Sequence, residues 1–274
     1  MNNKSMTAMM CLFAMANHQK NSYRVVNDSV SERLITDDEY NGIYESLSQG
    51  GDFFKTNSTE ETINKFIAPT VIARNAFNRQ SLAVAKRLGV ERYMVLGAGY
   101  DTTAYSLDFD NIEVIEIDRD FKDKISRLDR AGINHKYVRY IESELPNLNF
   151  SGDKKVTYCS MLGVSYYLGK KDFENTLLNL GSISAEGSSL VFDYPTICYD
   201  DKIRELAFSA GEPMTEKYPY SEMQRLLNKC GYRIYELVHW NEVDERYFKP
   251  FNTLYKSSPL KAQNGVNLCL AVKK

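Results

Sequence analysis

The stretch "MVLGAGYDTTAYSL" (residues 94–107) places Gly97 and Gly99 directly behind an apolar run, with Asp101 two positions further on. An apolar run that ends in G-x-G is typical of a buried strand that leads into a ligand-binding loop of an α/β sheet. Glycine at 97 permits a tight turn, and glycine at 99 lets a ligand approach backbone N–H groups. The stretch therefore predicts a nucleoside-binding loop; the alternative is a tight turn that Asp101 caps without any ligand.

Short runs of β-branched and apolar residues alternate with helix-like spans after residue 91. The predicted strands here are 92–97, 112–118, 136–141, 155–162 and 188–194, with helices such as 119–132 and 170–185 between them. This alternation indicates an α/β fold with a mostly parallel sheet and helices on both faces. The segments 232–240 and 266–273 follow without an obvious helix between them, and they fit a terminal antiparallel pair.

The first 90 residues have helical apolar spacing and predict an N-terminal helical cover. The apolar run 6–16 is too short to cross a bilayer and lacks a good small-residue cleavage site, so we expect an amphipathic helix packed on the domain. Asn27 or Asp28, and a residue near Thr36, are candidate helix caps, and Pro69 is expected to start a new helix or to kink a long one. We therefore predict one domain, 1–274, with a cover at 1–90, a core at 91–274 and an irregular insertion near 195–220.

Composition excludes several function classes. The chain has 274 residues and a formal net charge of -2, which argues against a strongly basic nucleic-acid surface. Its five cysteines are widely spaced and include no C-x-x-C pair, which is typical of reduced cytoplasmic thiols. The three histidines are equally dispersed, so no zinc-site spacing is present. We expect a cytoplasmic protein with no metal, no membrane partner and no nucleic-acid partner.

The acids that follow the glycine loop decide between nucleosides. Glu116 and Asp118 lie 19 and 21 positions after Gly97 (116 − 97 and 118 − 97), close to the roughly 20 residues expected of a ribose-binding acid. A dinucleotide loop favours a third glycine where Thr102 stands, and a carboxylate at Asp101 would repel a diphosphate. Asp101 suits the ammonium and sulfonium of S-adenosylmethionine, which carries no phosphate. An NAD(P)-dependent oxidoreductase remains the alternative.

The glycine loop also resembles the motif V-L-G-A-G-x-D-T-R-A-Y-R-L of the leucine carboxyl methyltransferase-like family, a branch of the class I S-adenosylmethionine-dependent methyltransferases. Further segments resemble family motifs in the same order along the chain: "MTAMMCLFAMANHQ" (6–19), "VNDSVSERLI" (26–35), "IARNAF" (72–77), "VIEIDRD" (114–120), "SMLGVSYYL" (160–168), "GSSLVFDYP" (187–195) and "GEP" (211–213). Together they span nearly the whole chain, which is far more specific than one motif.

The resemblance implies a Rossmann-like class I methyltransferase fold, with a seven-stranded mostly parallel sheet, an antiparallel last strand, an N-terminal helical cover and an insertion after the fifth strand. It also implies that S-adenosylmethionine is the methyl donor. In this reading Arg74 pairs with the donor's carboxylate, Asp101 holds its ammonium, and Glu116 or Asp118 takes the ribose. The remaining candidates for donor binding are Gly97, Ala98, Gly99, Glu142, Ser143 and Met161, and those near the transferred methyl group are Tyr166 and Tyr167.

Some positions depart from the family motifs. Thr103 and Ser106 stand where the motif has arginines, and Leu162 precedes Gly163 where carboxyl-methylating members carry E-G. The loss of that acid argues against methylation of a protein phosphatase tail. We predict an O-methyltransferase for a small-molecule carboxylate or hydroxyl, bound beneath helices 5–18 and 28–48 and the 195–220 insertion. A catalytically silent binding protein with the same fold is the second alternative, and the sequence identifies no convincing general base.

Overall fold

The computed structural model describes residues 5–209 and 211–274. Residues 1–4 of the predicted cover and residue 210 of the predicted insertion lie outside the described residues. Seven strands of the described chain form one sheet in the order β3-β2-β1-β4-β5-β7-β6. Their bounds are β1 Arg92–Leu96, β2 Glu113–Asp118, β3 Val138–Glu142, β4 Thr157–Met161, β5 Ser189–Pro195, β6 Tyr232–Val238 and β7 Val266–Lys273.

The sheet is parallel from β1 to β5, and β7 runs antiparallel to both of its neighbours, β5 and β6. All five residues of β1 and all five of β4 are buried, as expected for central strands with helices on both faces. The predicted α/β class, the strand count and the antiparallel last strand are therefore confirmed. The observed strand ends differ from the predicted ones by up to two residues, a normal uncertainty for sequence patterns.

The helices flank this sheet and also build the N-terminal cover. Before the sheet lie α1 Met6–Gln19, α2 Ser31–Leu34, α3 Asp37–Gln49, α4 Gly51–Phe54, α5 Thr59–Thr62, a π-helical turn Ile63–Ile67 and α6 Ala68–Arg87. Within and after the sheet lie α7 Thr103–Ser106, α8 Lys122–Arg130, α9 Lys170–Ile183, α10 Asp201–Ser209, α11 Tyr220–Lys229 and α12 Lys249–Leu254.

Two predicted connections were wrong in detail. The insertion near 195–220 contains a helix, α10, which the polar composition of that stretch concealed. The link between β6 and β7 holds a 3₁₀ turn (Trp240–Glu242), a π turn (Asp244–Phe248) and α12. These turns are short, so their apolar positions are too few to show a helical period.

The N-terminal cover follows its local signals closely. Thr36 caps α3 as predicted, in a capping box with Glu39. The cap predicted at Asn27 or Asp28 was wrong, because α2 begins at Ser31 after Val30 and has no side-chain cap. Pro69 lies in the first turn of α6, but α5, the π-helical turn and α6 follow one another without a break, so Pro69 lies inside one long helical run and does not begin a new helix. The apolar run 6–16 is helical as expected, but α1 is not simply amphipathic, because every residue from Leu12 to Gln19 is buried. That helix is a core element of the described structure.

His18 in α1 anchors the loop that follows the helix. Its Nε2 accepts a hydrogen bond from the backbone N–H of Val25 at 2.9 Å, and the side chain is buried. Burial first, and the charge of Arg24 second, lower the pKa of His18 from 6.5 to about 4. His18 is therefore a neutral structural residue of the cover.

Stability should fall with acid because of His18. The folded pKa lies below the unfolded one, so this contribution is complete above pH 6.5 and is lost as the pH falls towards 4. We expect the free energy of unfolding to drop by about 2 kcal/mol between pH 7.5 and 5 from this group. Urea denaturation of wild type and His18→Gln at both pH values tests it, with the exposed His239→Gln as control. Equal pH dependence in wild type and His18→Gln would contradict the assignment.

Candidate active site

The carboxyl ends of β1 and β4 meet where the strand order reverses, since β1 pairs with β2 on one side and β4 on the other. Such a switch point is where open α/β sheets bind ligands. We call the crevice at the carboxyl ends of β1, β2, β4 and β5 the mouth. Two loops enter it: the glycine loop (residues 97–101) and the β4 loop (residues 162–167).

The glycine loop needs its glycines for conformation and for close packing. Gly97 and Gly99 have φ values of 63° and 42°, in the left-handed region. A Cβ on Gly97 would lie 2.5 Å from Cγ2 of Val164, so the glycine loop and the β4 loop touch at this position. The backbone N–H groups of Gly97 and Ala98 donate to the carbonyl of Ile117, which ties the loop to β2.

The structure separates the two acids of β2. Asp118 ends the strand, and its Oδ2 accepts the backbone N–H of Gly99 at 2.6 Å, so its carboxylate lies at the mouth. Glu116 is 0 % exposed, and its Oε2 accepts a hydrogen bond from Lys124 Nζ at 2.7 Å. This buried ion pair excludes Glu116 as a ligand of the donor, which corrects the prediction that left both acids open. Asp118 remains as the ribose candidate.

Asp101 is fixed by the turn that it starts. Its backbone N–H donates to the carbonyl of Ala98, and its Oδ1 accepts the N–H of Thr103 at 2.7 Å. The capping alternative is thus present in the structure, although one such bond leaves the other carboxylate oxygen available. Burial raises the pKa of the neighbouring Tyr93, and the charge of Asp101 raises it further, so that phenol stays protonated.

Arg74 reaches the mouth from α6. Its Nη1 lies 3.3 Å from Asp193 Oδ2, and its Nη2 lies 3.1 Å from the sulfur of Cys11. Burial alone would lower the pKa of Arg74, but nearby Cys11 and Asp193 raise it, so the guanidinium stays charged. Its Nε is buried and has no hydrogen-bond partner in the described part of the chain. A buried donor without a partner is costly, and an anionic ligand would satisfy it.

Asp193 ties Arg74 to the β4 loop. This carboxylate, at the carboxyl half of β5, is 0 % exposed and accepts the N–H of Gly163 at 2.6 Å and the hydroxyl of Tyr166 at 2.8 Å. Its backbone carbonyl accepts the hydroxyl of Ser165 at 2.6 Å. Sequence reasoning missed Asp193 as a site residue, although an acid inside the apolar run "SSLVFDY" is itself a signal, because a buried carboxylate requires partners.

One face of α1 covers the mouth; we call Thr7, Ala8 and Cys11 the roof. Ala8 Cβ lies 3.4 Å from the position that a Cβ on Gly99 would occupy, and Cys11 contacts Arg74. The backbone N–H of Thr7 donates to Glu212 Oε2 at 3.1 Å, and its hydroxyl donates to the same oxygen. The insertion and the helical cover therefore close over the glycine loop together. Glu212 was missed as a candidate, although the G-E-P segment contains it.

The two tyrosines of the β4 loop have different surroundings. Tyr166 is buried with its hydroxyl on Asp193, and its ring centroid lies 5.5 Å from that of Tyr199. Burial raises the pKa of Tyr167 to about 12, and its buried hydroxyl has no hydrogen-bond partner of normal geometry among the described residues. Tyr167 therefore presents an unsatisfied polar atom close to the roof, whereas Tyr166 is a structural partner of Asp193.

The other predicted residues lie near the same edge of the sheet. Ser143 follows β3 and is buried, with its N–H on the carbonyl of Asp118 and its hydroxyl on the carbonyl of Asn147. Glu142 pairs with Asp118 across the strands, and its side chain is exposed. Met161 ends β4, but its side chain is fully buried in the hydrophobic core, so it does not line the mouth.

Two further findings concern the described residues as a whole. Across residues 5–209 and 211–274, no group of three His, Cys, Asp or Glu side chains is placed to hold a metal ion. No helix in these ranges is long and apolar enough to cross a membrane.

The side chains at the mouth fit S-adenosylmethionine. Asp118 supplies an acid beside the glycine loop, Asp101 supplies a second one, and Arg74 presents an unpaired Nε. These groups match a ribose, an ammonium and a carboxylate, in that order. Phosphate would find two carboxylates in its place, which opposes the dinucleotide alternative.

Comparison with known proteins supports the same assignment. Residues 8–181 match the model of the family described as "Leucine carboxyl methyltransferase". Over 306 residues the chain is 26% identical to a Bacillus subtilis (strain 168) protein named "Putative S-adenosyl-L-methionine-dependent methyltransferase YktD", covering 100% of this chain and 99% of that protein.

Solved structures share the fold at low sequence identity. A DUF574 family protein from Streptomyces avermitilis matches with a TM-score of 0.58 and 12% identity, covering 99% of this chain and 98% of that one. Magnesium protoporphyrin IX methyltransferase from Synechocystis PCC 6803, solved with bound S-adenosylhomocysteine, matches with a TM-score of 0.51 and 10% identity, covering 85% and 99%. The chain therefore belongs to the leucine carboxyl methyltransferase family and is an S-adenosylmethionine-dependent methyltransferase with the class I fold.

Proposed function

We propose that the protein transfers the methyl group of S-adenosylmethionine to an oxygen of a small molecule, either a carboxylate or a hydroxyl. The observation that carries the proposal is the meeting of two unlike surfaces at the mouth. The glycine loop, Asp118 and Arg74 form a charged side, while the β4 loop with Tyr167 forms an aromatic side under the roof. The first suits the donor, and the second suits a small aromatic or aliphatic acceptor.

On the donor side, each proposed role follows from one contact. Asp118 would accept both ribose hydroxyls, since Gly99 already fixes its carboxylate at the mouth. Asp101 would hold the ammonium with the oxygen that Thr103 leaves available. Arg74 would pair with the carboxylate through its unpartnered Nε, a charge-assisted bond of the strong class.

On the acceptor side, Leu162 replaces an acid, and the polar groups are Tyr167 and Glu212. We propose a small-molecule partner and no nucleic-acid or membrane partner, because the net charge is only -2. All five cysteines are free in the structure, which supports the proposed cytoplasmic location.

Bound S-adenosylmethionine supplies an activated methyl group, because its sulfonium is already a good leaving group. The protein's own residues then need to orient the acceptor and keep water out. Orientation of this kind contributes up to roughly 7 to 11 kcal/mol to lowering a barrier. A carboxylate acceptor requires no base, whereas a hydroxyl acceptor would pass its proton to Glu212, the acid that the insertion brings to the roof.

A paired acceptor panel tests the proposal. Purified protein is incubated with methyl-tritiated S-adenosylmethionine and with phenols, aliphatic alcohols, carboxylic acids and amines of matched carbon skeleton. Methyl esters release volatile methanol in alkali and ethers do not, so this treatment separates carboxylate from hydroxyl products. We expect label on oxygen acceptors. Label found only on amines, or binding of S-adenosylhomocysteine without any turnover on this panel, would contradict the proposal, and the second result would favour the silent binding protein.

Asp118→Asn should weaken the binding of S-adenosylhomocysteine by about 10- to 100-fold, because one charged acceptor of two ribose hydroxyls is lost. The same loss is expected for 5′-methylthioadenosine, which keeps the ribose but lacks the amino-acid end. Isothermal titration calorimetry of both ligands measures it. Asp120→Asn, a change of an exposed acid two residues beyond Asp118, is the control and should bind normally. Normal binding by Asp118→Asn would remove Asp118 from the ribose site.

A further inference from the structure

Asp193 is a fully buried carboxylate next to the mouth. It is 0 % exposed, yet the partners that approach its side chain are one cation, one N–H and one hydroxyl, from Arg74, Gly163 and Tyr166. A carboxylate at such depth persists only when its contacts offset the loss of hydration. The three partners come from α6 and the β4 loop, so Asp193 joins these two elements.

The contacts of Arg74 show how Asp193 orients it. A guanidinium offers a carboxylate two parallel N–H groups along one edge, and Nε and Nη2 form one such edge. Asp193 contacts Nη1, outside that edge, whereas Nε has no partner among the residues described. At the other end of the edge, Nη2 contacts the roof residue Cys11. Asp193 therefore fixes the plane of the guanidinium and leaves the Nε–Nη2 edge for an anion.

Gly163 makes this arrangement possible on the other side. A Cβ at this residue would lie 2.5 Å from Nη1 of Arg74 and 2.8 Å from its Cζ, so the guanidinium packs against bare backbone. The N–H of the same residue donates to Asp193. The β4 loop, the guanidinium and the carboxylate thus hold one another in one arrangement.

We propose that Asp193 is a positioning residue for methyl transfer. Its carboxylate aims the Nε–Nη2 edge of Arg74 at the carboxylate of the donor, and through Gly163 and Tyr166 it ties that edge to the acceptor side of the mouth. The inference rests on the proposed donor-binding role of Arg74. It does not depend on which acceptor the enzyme uses, so it can be tested by binding alone.

The test is a double-mutant cycle on ligand affinity with Asp193→Asn, Arg74→Met and the double variant. Calorimetry measures S-adenosylhomocysteine, which has the carboxylate, and 5′-methylthioadenosine, which lacks it. We expect Asp193→Asn to lower the affinity for S-adenosylhomocysteine by about 10-fold or more and to change the affinity for 5′-methylthioadenosine by less than about 2-fold. In the Arg74→Met background, Asp193→Asn should have no further effect on S-adenosylhomocysteine.

Other outcomes overturn the proposal. An equal loss of affinity for both ligands in Asp193→Asn would assign Asp193 a general structural role. Unchanged or tighter binding of S-adenosylhomocysteine would show that Asp193 competes with the ligand's carboxylate for Arg74. Normal S-adenosylhomocysteine binding by Arg74→Met would remove the role of Arg74, and this inference with it, while leaving acceptor methylation to be judged separately.

Two more variants keep the test decisive if Asp193→Asn is destabilised or fails to fold. Glu113→Gln breaks an ion pair with the buried Arg92 at the opposite end of the sheet, 2.9 Å long, and should destabilise the protein without altering either affinity. Tyr166→Phe removes one donor to Asp193 and keeps its charge. If Asp193→Asn does not fold, Tyr166→Phe should still weaken S-adenosylhomocysteine selectively, by about 2- to 5-fold. An unselective change in that variant would count against the proposal.

Discussion

Lys124→Met is expected to lower the free energy of unfolding by about 3–5 kcal/mol, the cost of leaving one partner of a buried ion pair alone. Lys124 and Glu116 are 2 % and 0 % exposed and lie 2.7 Å apart. The second carboxylate oxygen of Glu116 already has no hydrogen-bond partner within the described residues. Without Lys124, the charge of Glu116 would have no compensation by a cation.

The loss of stability in Lys124→Met should depend on pH. Burial raises the pKa of Glu116, and the charge of Lys124 opposes that rise. In Lys124→Met this cation is absent, so the pKa of Glu116 in the folded state rises further above its value in the unfolded state. A raised carboxyl pKa means that stability is retained below the unfolded pKa and is lost as the pH rises. The free energy of unfolding of Lys124→Met should therefore differ less from that of wild type at pH 5 than at pH 8.

Urea denaturation at both pH values measures this effect. Adding Glu116→Gln to Lys124→Met should restore much of the lost stability, because a neutral amide no longer needs a cation. Lys155→Met, which removes a half-exposed partner of Glu113, is the matched control and should cost no more than about 1 kcal/mol. A loss as small as that in Lys124→Met would contradict the buried-pair assignment.

The same pair explains where sequence reasoning stopped. Glu116 and Asp118 are two residues apart on one strand, so alternation places both side chains on the same face of the sheet and cannot separate them. The distinction comes from position, because Asp118 ends the strand at the mouth while Glu116 meets Lys124 in the first turn of α8. The sheet and the glycine loop could be predicted because their signals are local.

The partners of Arg74 could not be found in this way. Asp193 lies 119 positions further along the chain than Arg74, and no local pattern links β5 to α6. Glu212 reaches Thr7 across 205 positions, from an insertion whose helix was not predicted. The glycine loop and Asp118 are close together in the sequence and could be predicted, whereas Arg74, Asp193 and Glu212 come together only in the folded chain.

Gly163→Ala is expected to weaken S-adenosylhomocysteine by about 10- to 100-fold, since the new methyl group would displace the guanidinium of Arg74 from the mouth. The added Cβ would meet Nη1 at 2.5 Å and Nη2 at 2.8 Å, closer than atoms can pack. Arg74 is a flexible side chain and can move, so the protein should fold, with a backbone penalty of about 1 kcal/mol for alanine at a φ of 72°.

Gly187→Ala is the control that separates backbone strain from displacement of the Arg74 guanidinium. Its φ is 81°, and a Cβ there would meet nothing within 4 Å in the part of the chain that the structure covers. Urea denaturation should show that both variants lose about 1 kcal/mol of unfolding free energy, but Gly187→Ala should bind S-adenosylhomocysteine like wild type. Because Arg74 would act on the carboxylate, 5′-methylthioadenosine should bind Gly163→Ala almost normally. If calorimetry instead finds normal S-adenosylhomocysteine affinity in Gly163→Ala, Arg74 does not hold the donor, and the charged side of the mouth must bind it through Asp101 and Asp118 alone.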